Sequence, residues 1–371
     1  MQKESEFNEI LKLSLESLMK IERSEHNQTE KDLSNGYRPR RIFGQGKQLE
    51  LRVPRTRNGN FYPLILSLLK DQEEEMKNLA FRLYSSGLTT QQVGEIFNDI
   101  YGKQYSSSQV SRMFDTAREA VKSWLNRPLC NYYPIVYIDA TFIPTRRVDS
   151  VYKEAYYTIL GVKPDRTREV LSVVNFPTEG ASQWEDIFED LRKRGVKQID
   201  LFVSDGLNGI ENSIWKYYKN ADVQLCVVHL MRDILKHSKP KHKAQMSEDL
   251  KEVFRTDDRH DSKEKAQKRF KEFGNKWNKY YSSISKKVNN PRYELYFTYI
   301  SYDYRIRNMI YTTNWIERLN RDFKRTTRMR GALPSPDATL LLLGSVAMDK
   351  KTYNRKVPKL NYERQKFKWD D

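Results

Sequence analysis

The sequence predicts a chain of mixed α+β and α/β character. One mixed β-sheet is laid down in the order β-β-β-α-β-α-β-α, interrupted by an all-α insertion and preceded by a helical N-terminal region. Three observations predict it. Residues 131–176 hold three apolar runs of strand length joined by short connections, which makes neighbouring strands antiparallel. Residues 182–232 alternate helical and strand patterning, the mark of crossovers to parallel strands. Residues 233–308 show helical spacing only.

Composition narrows the class of function. The chain has 371 residues, enough for two or three domains at about 100–200 residues each. Its 66 Lys and Arg against 49 Asp and Glu leave a formal charge of +17, with a pI near 9.5. The apolar fraction, 38%, is below the roughly 45–50% of an average globular chain, but 23 Tyr and 6 Trp can fill cores, so global disorder is excluded. Cys130 and Cys226 are the only cysteines; they exclude a disulfide scaffold and fit a reducing compartment. The longest mostly apolar stretch, Ala338 to Met348, falls far short of the roughly 20 residues that span a bilayer. The first residues carry neither the apolar core of a signal peptide nor the acid-poor composition of a transit peptide. The expectation is a soluble, cytoplasmic, strongly basic protein with no membrane partner and with nucleic acid as its leading polyanionic ligand.

In chain order, residues 1–62 read as an N-terminal helix and a basic arm. Phe7, Ile10, Leu11, Leu13, Leu15, Leu18 and Met19 recur at helical spacing and a polar run follows, predicting a short amphipathic helix and a linker. From Asn35 to Arg57, Gly36, Gly44, Gly46, Pro39 and Pro54 make the backbone turn-rich, with one strand over Gln48–Val53. Here Arg38, Arg40, Arg41, Lys47, Arg52, Arg55 and Arg57 stand against one acid, Glu50. Such single-signed charge fits a solvated loop or, better, an arm that contacts phosphates. Residues 63–128 read as a DNA-binding helix-turn-helix. Thr89-x-x-Gln92 and Ser106-x-x-Gln109 are capping boxes that open two helices, the first, Gln91–Tyr101, ending at Gly102. Ser107, Gln109 and Arg112 at the start of the second helix suit base edges and phosphates, although any pair of hairpin helices would show the same pattern.

Residues 129–232 form the first part of the sheet domain. Strands are expected at 133–139, 154–162 and 169–176, and a helix over 182–194 closed by Gly195. A strand at 199–204, a helix from about Leu207 to Tyr218, a fifth strand at 223–228 and a helix from near His229 follow. Helices should cover both faces. Ribonuclease H-like nucleases and strand-transfer enzymes have this order, so a ribonuclease H-like domain is expected. Residues 233–308 are the helical insertion. Its stripe of Ala266, Phe270, Phe273, Trp277, Tyr280 and Tyr281 fits core packing better than a base-stacking platform. Its 19 Lys and Arg against 11 Asp and Glu would suit an insert that lies on DNA. Residues 309–371 supply the domain's last helices, opened by Thr312-Thr-Asn-Trp-Ile-Glu-Arg-Leu-Asn-Arg, and a basic tail.

Cutting and joining phosphodiesters needs an oxygen made nucleophilic and a leaving oxygen stabilised, which two divalent ions on hard oxygen ligands accomplish. Acids at strand ends are therefore the candidates. Asp139 ends the first strand and Asp205 closes the fourth; those strands lie side by side in this topology, so the two acids would meet. Each has a plainer alternative, a strand-exit cap for Asp139 and an Asx-turn for Asp205. Glu317 is the third candidate, against the alternative of a capping-box partner for Asn314. In its favour, Arg318, Arg321, Arg325 and Arg328 follow at three- and four-residue steps, with Lys324 beside them. Asp322 and Asp303 are weaker rivals. Cys226-x-x-His229, with His237 and His242 beyond, invites a zinc reading, but the spacings are irregular; a buried cysteine and a histidine fixing a helix start near the active site fit better.

Several stretches run in order along the chain: Asn35-Gly-Tyr-Arg-Pro-Arg, Val53-Pro-Arg-Thr-Arg-Asn-Gly-Asn-Phe, Arg127-Pro-Leu, Tyr137-Ile-Asp-Ala, Arg194-Gly-Val and Ser204-Asp-Gly-Leu. Gln224-Leu-Cys-Val-Val-His-Leu-Met-Arg-Asp and Tyr311-Thr-Thr-Asn-Trp-Ile-Glu-Arg-Leu-Asn complete the set. Together they resemble the Mutator-type transposases of bacterial insertion sequences, Asp-Asp-Glu enzymes with a helical insertion. The resemblance implies Asp139, Asp205 and Glu317 as a metal-binding catalytic triad for two Mg²⁺ or Mn²⁺ ions, and Cys226 and His229 as the family's Cys-x-x-His signature. It also implies binding of terminal inverted repeats in double-stranded DNA, cleavage and rejoining at those ends, a homodimer or larger assembly, and a nucleoid-associated bacterial protein. Trp315 and Thr141-Phe-Ile-Pro depart from the family pattern. A catalytically silent DNA-binding regulator and a structure-specific nuclease without joining activity are the alternatives.

Overall fold

Helix α1 (Gln2–Glu30) is followed by a hairpin of β1 (Ser34–Gly44) and β2 (Lys47–Thr56), then by α2 (Leu64–Ser85), α3 (Thr90–Tyr101), α4 (Ser107–Met113) and α5 (Asp115–Leu125). This computed structural model describes residues 2–44, 47–101, 105–176, 181–207, 209–328, 330–349, 353 and 355–357. The expected turn glycines Gly46 and Gly102 and the basic tail beyond 357 lie outside the described residues. The chain divides into two units, Met1–Glu119 and Ala120–Asp371.

The first unit corrects two expectations. The N-terminal helix does not give way to a linker: it runs 29 residues. Its polar second half is tied down, with Glu22 accepting from the Leu64 amide, Arg23 donating to the Gly36 and Arg55 carbonyls, and His26 bonded to Asn60. The basic arm is not a loop with one strand but an antiparallel ribbon, with Arg38 opposite Val53 and Arg40 opposite Leu51. Leu51 and Val53 pack with Leu15, Met19 and Leu66, and burying each such side chain stabilises by about 1.5–3 kcal/mol. Both capping boxes form. The second helix is short, however: α4 stops at Met113 and a new helix starts at Asp115. Gly94 makes the approach to it possible, since a Cβ there would lie 2.3 Å from the Tyr105 carbonyl oxygen.

In the second unit the elements are β3 (Tyr132–Arg146), β4 (Val151–Val162), β5 (Arg168–Phe176), α6 (Ala181–Lys193), β6 (Gln198–Ser204), α7 (Ile210–Tyr217), β7 (Asp222–Leu225) and α8 (Val227–Lys236). They form a five-stranded mixed sheet in the order β5-β4-β3-β6-β7. β3, β4 and β5 are an antiparallel meander, and β6 and β7 run parallel to β3. Two strand ends differ from expectation. β3 continues seven residues past Asp139 because β4 begins at Val151, early enough to pair Arg146 with it, and the Leu333 backbone bonds to Pro144 and Arg146. β7 stops at Leu225 rather than 228, because the Val227 amide turns to the Tyr311 carbonyl and helix α8 begins there. Helix α7 starts at Ile210, with Gly209 at φ +75° before it.

Strand alternation assigns the two faces. Phe202, paired with Val136, and Tyr157, paired with Ala140, point to one face, where Phe188 and Trp184 of α6 pack on them. Tyr137 and Asp139 point to the other. Beyond α8 come α9 (Pro240–Val253), α10 (Lys263–Asn278), α11 (Ser282–Val288), a 3-10 segment (Pro291–Ser301), α12 (Tyr304–Ile310), α13 (Asn314–Arg328) and α14 (Pro336–Met348). Ala266, Phe270, Phe273 and Trp277 are buried in the helical segment as expected, whereas Tyr280 is exposed. Tyr137 donates to the Met309 carbonyl, and α13 lies over β3. Gln224 fastens the 3-10 segment to β7: its buried amide donates to the Tyr296 carbonyl and accepts from the Tyr299 amide. Gln224→Leu, which leaves those backbone groups unpaired, is expected to cost about 2–4 kcal/mol; an unchanged midpoint in urea unfolding would refute the role.

Candidate active site

Parallel pairing of β3 and β6, with Ile138 opposite Ser204, carries Asp139 and Asp205 to the same edge of the sheet. Asp205 shapes its own exit: its carboxylate accepts from the Gly206 amide at 2.7 Å and its carbonyl from the Leu207 amide at 2.6 Å. His229, in the first turn of α8, completes a cluster. Ligand atoms of Asp139, Asp205 and His229 all lie within 4.8 Å of one another, the one such group of three among the described residues. His229 Nδ1 is buried without a hydrogen-bond partner, 3.7 Å from Asp205 Oδ1.

Asp139 is buried, and burial pushes its carboxyl up to about 7; the Asp205 and Glu317 charges add to the rise and His229 opposes it. His229 is pushed up to about 9, first by its hydrogen bond with Cys226 and further by Asp205 and Asp139, against the effect of burial. Burial would raise the Cys226 thiol, but hydrogen bonds from His229 and Thr313 outweigh it and hold the thiol below its ordinary value. Thr313 Oγ1 donates to Cys226 Sγ at 3.5 Å, joining the α8 start to the α13 start.

The third acid stands differently. Glu317 belongs to α13, whose buried side carries Ile316, Leu319, Asn320 and Phe323. Its carboxylate accepts from Arg232 Nη1 at 3.0 Å, not from the start of its own helix, and it lies outside the Asp139–Asp205–His229 cluster. Arg232 is 59% exposed, so this pair contributes little stability. One turn beyond Glu317, Asn320 Nδ2 donates to Asp139 Oδ2 at 2.7 Å, while Asn320 Oδ1 is buried without a partner. Asp303, a weaker rival, is accounted for as the cap of α12.

Sequence reasoning missed Asn320 and Arg232, and expected His229 near the site only as a group fixing a helix start. For Asn320 the signal was available, since three residues after Glu317 places it on the same side of the helix. Of the other histidines named with Cys226, His242 bonds the Tyr281 hydroxyl and His237 the Asp233 carbonyl.

Arg318, Arg321, Lys324, Arg325 and Arg328 are all exposed on α13 with no ion-pair partner among the described residues. Trp315 lies under two guanidinium groups, Arg168 at 4.5 Å and Arg318 at 5.5 Å from its ring centre. In the first unit, Arg38, Arg41, Arg52, Arg55 and Arg57 are exposed on the ribbon, and Arg40 stacks on Tyr62. On α4, Ser107 is exposed, the Gln109 oxygen is engaged in the cap, and Arg112 bonds the Ser108 carbonyl.

A family model described as "Transposase, Mutator family" matches residues 2–356. The chain belongs to the Mutator family of transposases. Relatives match over most of their length. The transposase for insertion sequence element IS1201 of Lactobacillus helveticus is 30% identical, covering 85% of this chain and 84% of that one. A probable transposase for an ISRM3-like element of Sinorhizobium fredii is 31% identical, covering 90% and 82%. The transposase for IS256 in transposon Tn4001 of Staphylococcus aureus is 27% identical, covering 92% and 87%. Among solved structures, a Drosophila P element transposase strand transfer complex aligns at 10% identity over 75% of this chain and 78% of that one, with a TM-score of 0.32, too remote to define the fold.

The cluster fits a divalent cation: two carboxylates, a ring nitrogen without a hydrogen-bond partner, and a buried acid whose charge His229 offsets only in part. Two outcomes follow for this Mutator family member. A cation must displace the His229 proton below about pH 9 and the Asp139 proton as well below about pH 7, so apparent Mn²⁺ affinity is expected to fall about tenfold per pH unit between those values and about a hundredfold per unit below about pH 7; calorimetry giving the same slope on both sides of about pH 7 would remove Asp139 from the ligands. Asn320→Ala is expected to weaken Mn²⁺ binding by about 10–100-fold without unfolding the chain, because Asp139 loses its orienting donor; unchanged affinity would refute this.

Proposed function

We propose that this chain binds the terminal inverted repeats of its own insertion sequence, cuts DNA there and joins the freed ends to a target. The observation that carries the reading is the meeting of Asp139 and Asp205 at one sheet edge in a member of a transposase family. On this reading the sheet belongs to a ribonuclease H-like domain, 129–232 and 309–371, split by the insertion at 233–308. The ribbon arginines within 1–62 and a helix-turn-helix within 63–128 engage the end sequence.

Asp139 and Asp205, completed by Glu317, would hold two Mg²⁺ or Mn²⁺ ions; the bound pair supplies a lowered pKa for the attacking oxygen and charge for the leaving one. The chain's own residues do the rest. The paired strands fix the two aspartates rigidly, and Asn320 sets the rotation of Asp139. Glu317 becomes available when a DNA phosphate takes over Arg232. Arg318, Arg321 and Arg325 hold backbone phosphate next to it. In the first step water attacks phosphorus and the bond to the 3′-oxygen breaks, leaving a 3′-hydroxyl and a 5′-phosphate. In the second, that 3′-oxygen attacks a target phosphorus and displaces another 3′-oxygen. The first step is a hydrolysis and the second forms one phosphodiester for the one it breaks, so no external energy source is required.

The test supplies the purified protein with a plasmid carrying its own gene and native flanks, with Mg²⁺. Strand breaks and end-to-target junctions at the flanks, both lost in Asp139→Asn and in Glu317→Gln, are expected, with losses of at least about a hundredfold. Binding without cutting by the wild type would point to the silent regulator, and cutting without junctions to the nuclease. Activity surviving Glu317→Gln would remove the third carboxylate.

A further inference from the structure

Helix α1 has two apolar sides, and only one is used. Leu11, Leu15 and Met19 face the ribbon. Turning the helix by 100° per residue gathers Ile10, Leu13, Ser14, Ser17, Leu18 and Ile21 on a second side, its centre about 130° around from the first and its Leu18 margin next to Leu11. All six are exposed, the four large ones by 61%, 58%, 48% and 56% in chain order. This face carries no charge. The charged residues between Ile10 and Ile21, namely Lys12, Glu16 and Lys20, fall in a single row at four-residue steps on another side. Ser14 spends its hydroxyl on the Ile10 carbonyl of the same helix, so covering this side would not strand that group.

The order of these residues identifies the covering partner. Read from either end, the face is the same: Ile, Leu, Ser, then Ser, Leu, Ile, with spacings of three, one, three, one and three. A second α1 laid antiparallel across a two-fold axis between Leu15 and Glu16 therefore sets Ile10 against Ile21, Leu13 against Leu18 and Ser14 against Ser17, twice over. Two-fold contacts require a patch complementary to itself, and this one is. The small serines at its centre let the two helix axes approach closely.

We propose that this face of α1 is a homodimer interface in which two copies of the chain pair their N-terminal helices antiparallel. The face spans about 17 Å of helix, and six side chains bury less than the roughly 800 Å² per partner of a standard interface, so the association belongs in the micromolar range. It needs neither DNA nor metal. Its failure and that of the proposed chemistry are thus separate results.

Sedimentation equilibrium of the full chain, from about 1 to about 200 µM without DNA, is expected to show a monomer–dimer equilibrium. Ile21→Glu and Ile10→Lys should each weaken it by about tenfold or more, since each buries unpaired charge. Combined in one chain they should restore association, because the introduced ammonium and carboxylate face one another only in the antiparallel pair; a parallel pair would set like charges together. Circular dichroism checks that each variant keeps its helix. A monomer throughout, or a dimer indifferent to Ile21→Glu, overturns the interface. A double variant weaker than either single one overturns the antiparallel register. A single substitution that lowers the unfolding temperature without changing the mass would assign the face to contacts within one chain, and overturns the proposal as well.

Discussion

A carboxyl group taken out of water has to be met by hydrogen bonds, by positive charge or by a proton, and Asp139 is placed where the first two arrive from elements remote in sequence. Asn320 donates from α13, His229 lends its charge from α8, and Asp205 stands on the neighbouring strand. Each contact presupposes a larger arrangement. β6 must lie parallel to β3, α8 must start immediately after β7, and α13 must return to the sheet after the whole helical insertion. The Tyr137 bond to the Met309 carbonyl and the Thr313 bond to Cys226 hold those elements in place around the acid. A site assembled from three chain segments is rigid only because its secondary structure is.

The strand order was legible because it depends on local signals: apolar runs, turns and helix stops. From it followed the adjacency of Asp139 and Asp205, since the connection between parallel strands admits few topologies. Only one strand of the ribbon was legible, Gln48–Val53; its partner over Ser34–Gly44 was not. Pro39, Pro54 and a run of arginines argue against strands, yet Leu51 and Val53 gain a partner surface in α1 that no local window contains. The same holds for the polar half of α1, which is helical because Glu22, Arg23 and His26 find partners well down the chain. His229 was legible as a histidine at a helix start near the site; that its ring stands within reach of both aspartates depends on where α8 begins. Glu317 was legible as an acid at the head of a cationic helix; its present partner, Arg232, was not, because that pairing joins residues 85 apart.

Charge is distributed unevenly in a way that composition conceals. In the helical insertion many cations are already matched, as in Arg269 with Asp261, Lys276 with Asp249 and Lys287 with Asp233. The five cations of α13 are matched by nothing among the described residues, although the opposite side of that helix is firmly packed. An unpaired row on a rigid support projects a field outward, whereas paired charges largely cancel within a Debye length. The unmatched rows on α13 and the N-terminal ribbon therefore add to the field that a polyanion meets, beside exposed lysines of the helical segment such as Lys236, Lys239, Lys241 and Lys243.

The fastening of the 3-10 segment to β7 has a bearing on solubility. β7 is the last strand of its sheet and only four residues long, and a bare strand edge is a template on which any other chain can build. Here the edge is overlaid: Gln224 grips the backbone at Tyr296 and Tyr299, and Asp222 accepts from the Tyr302 hydroxyl. The helical segment that follows the sheet in sequence thus also seals it in space, and keeps that border closed to indiscriminate strand addition.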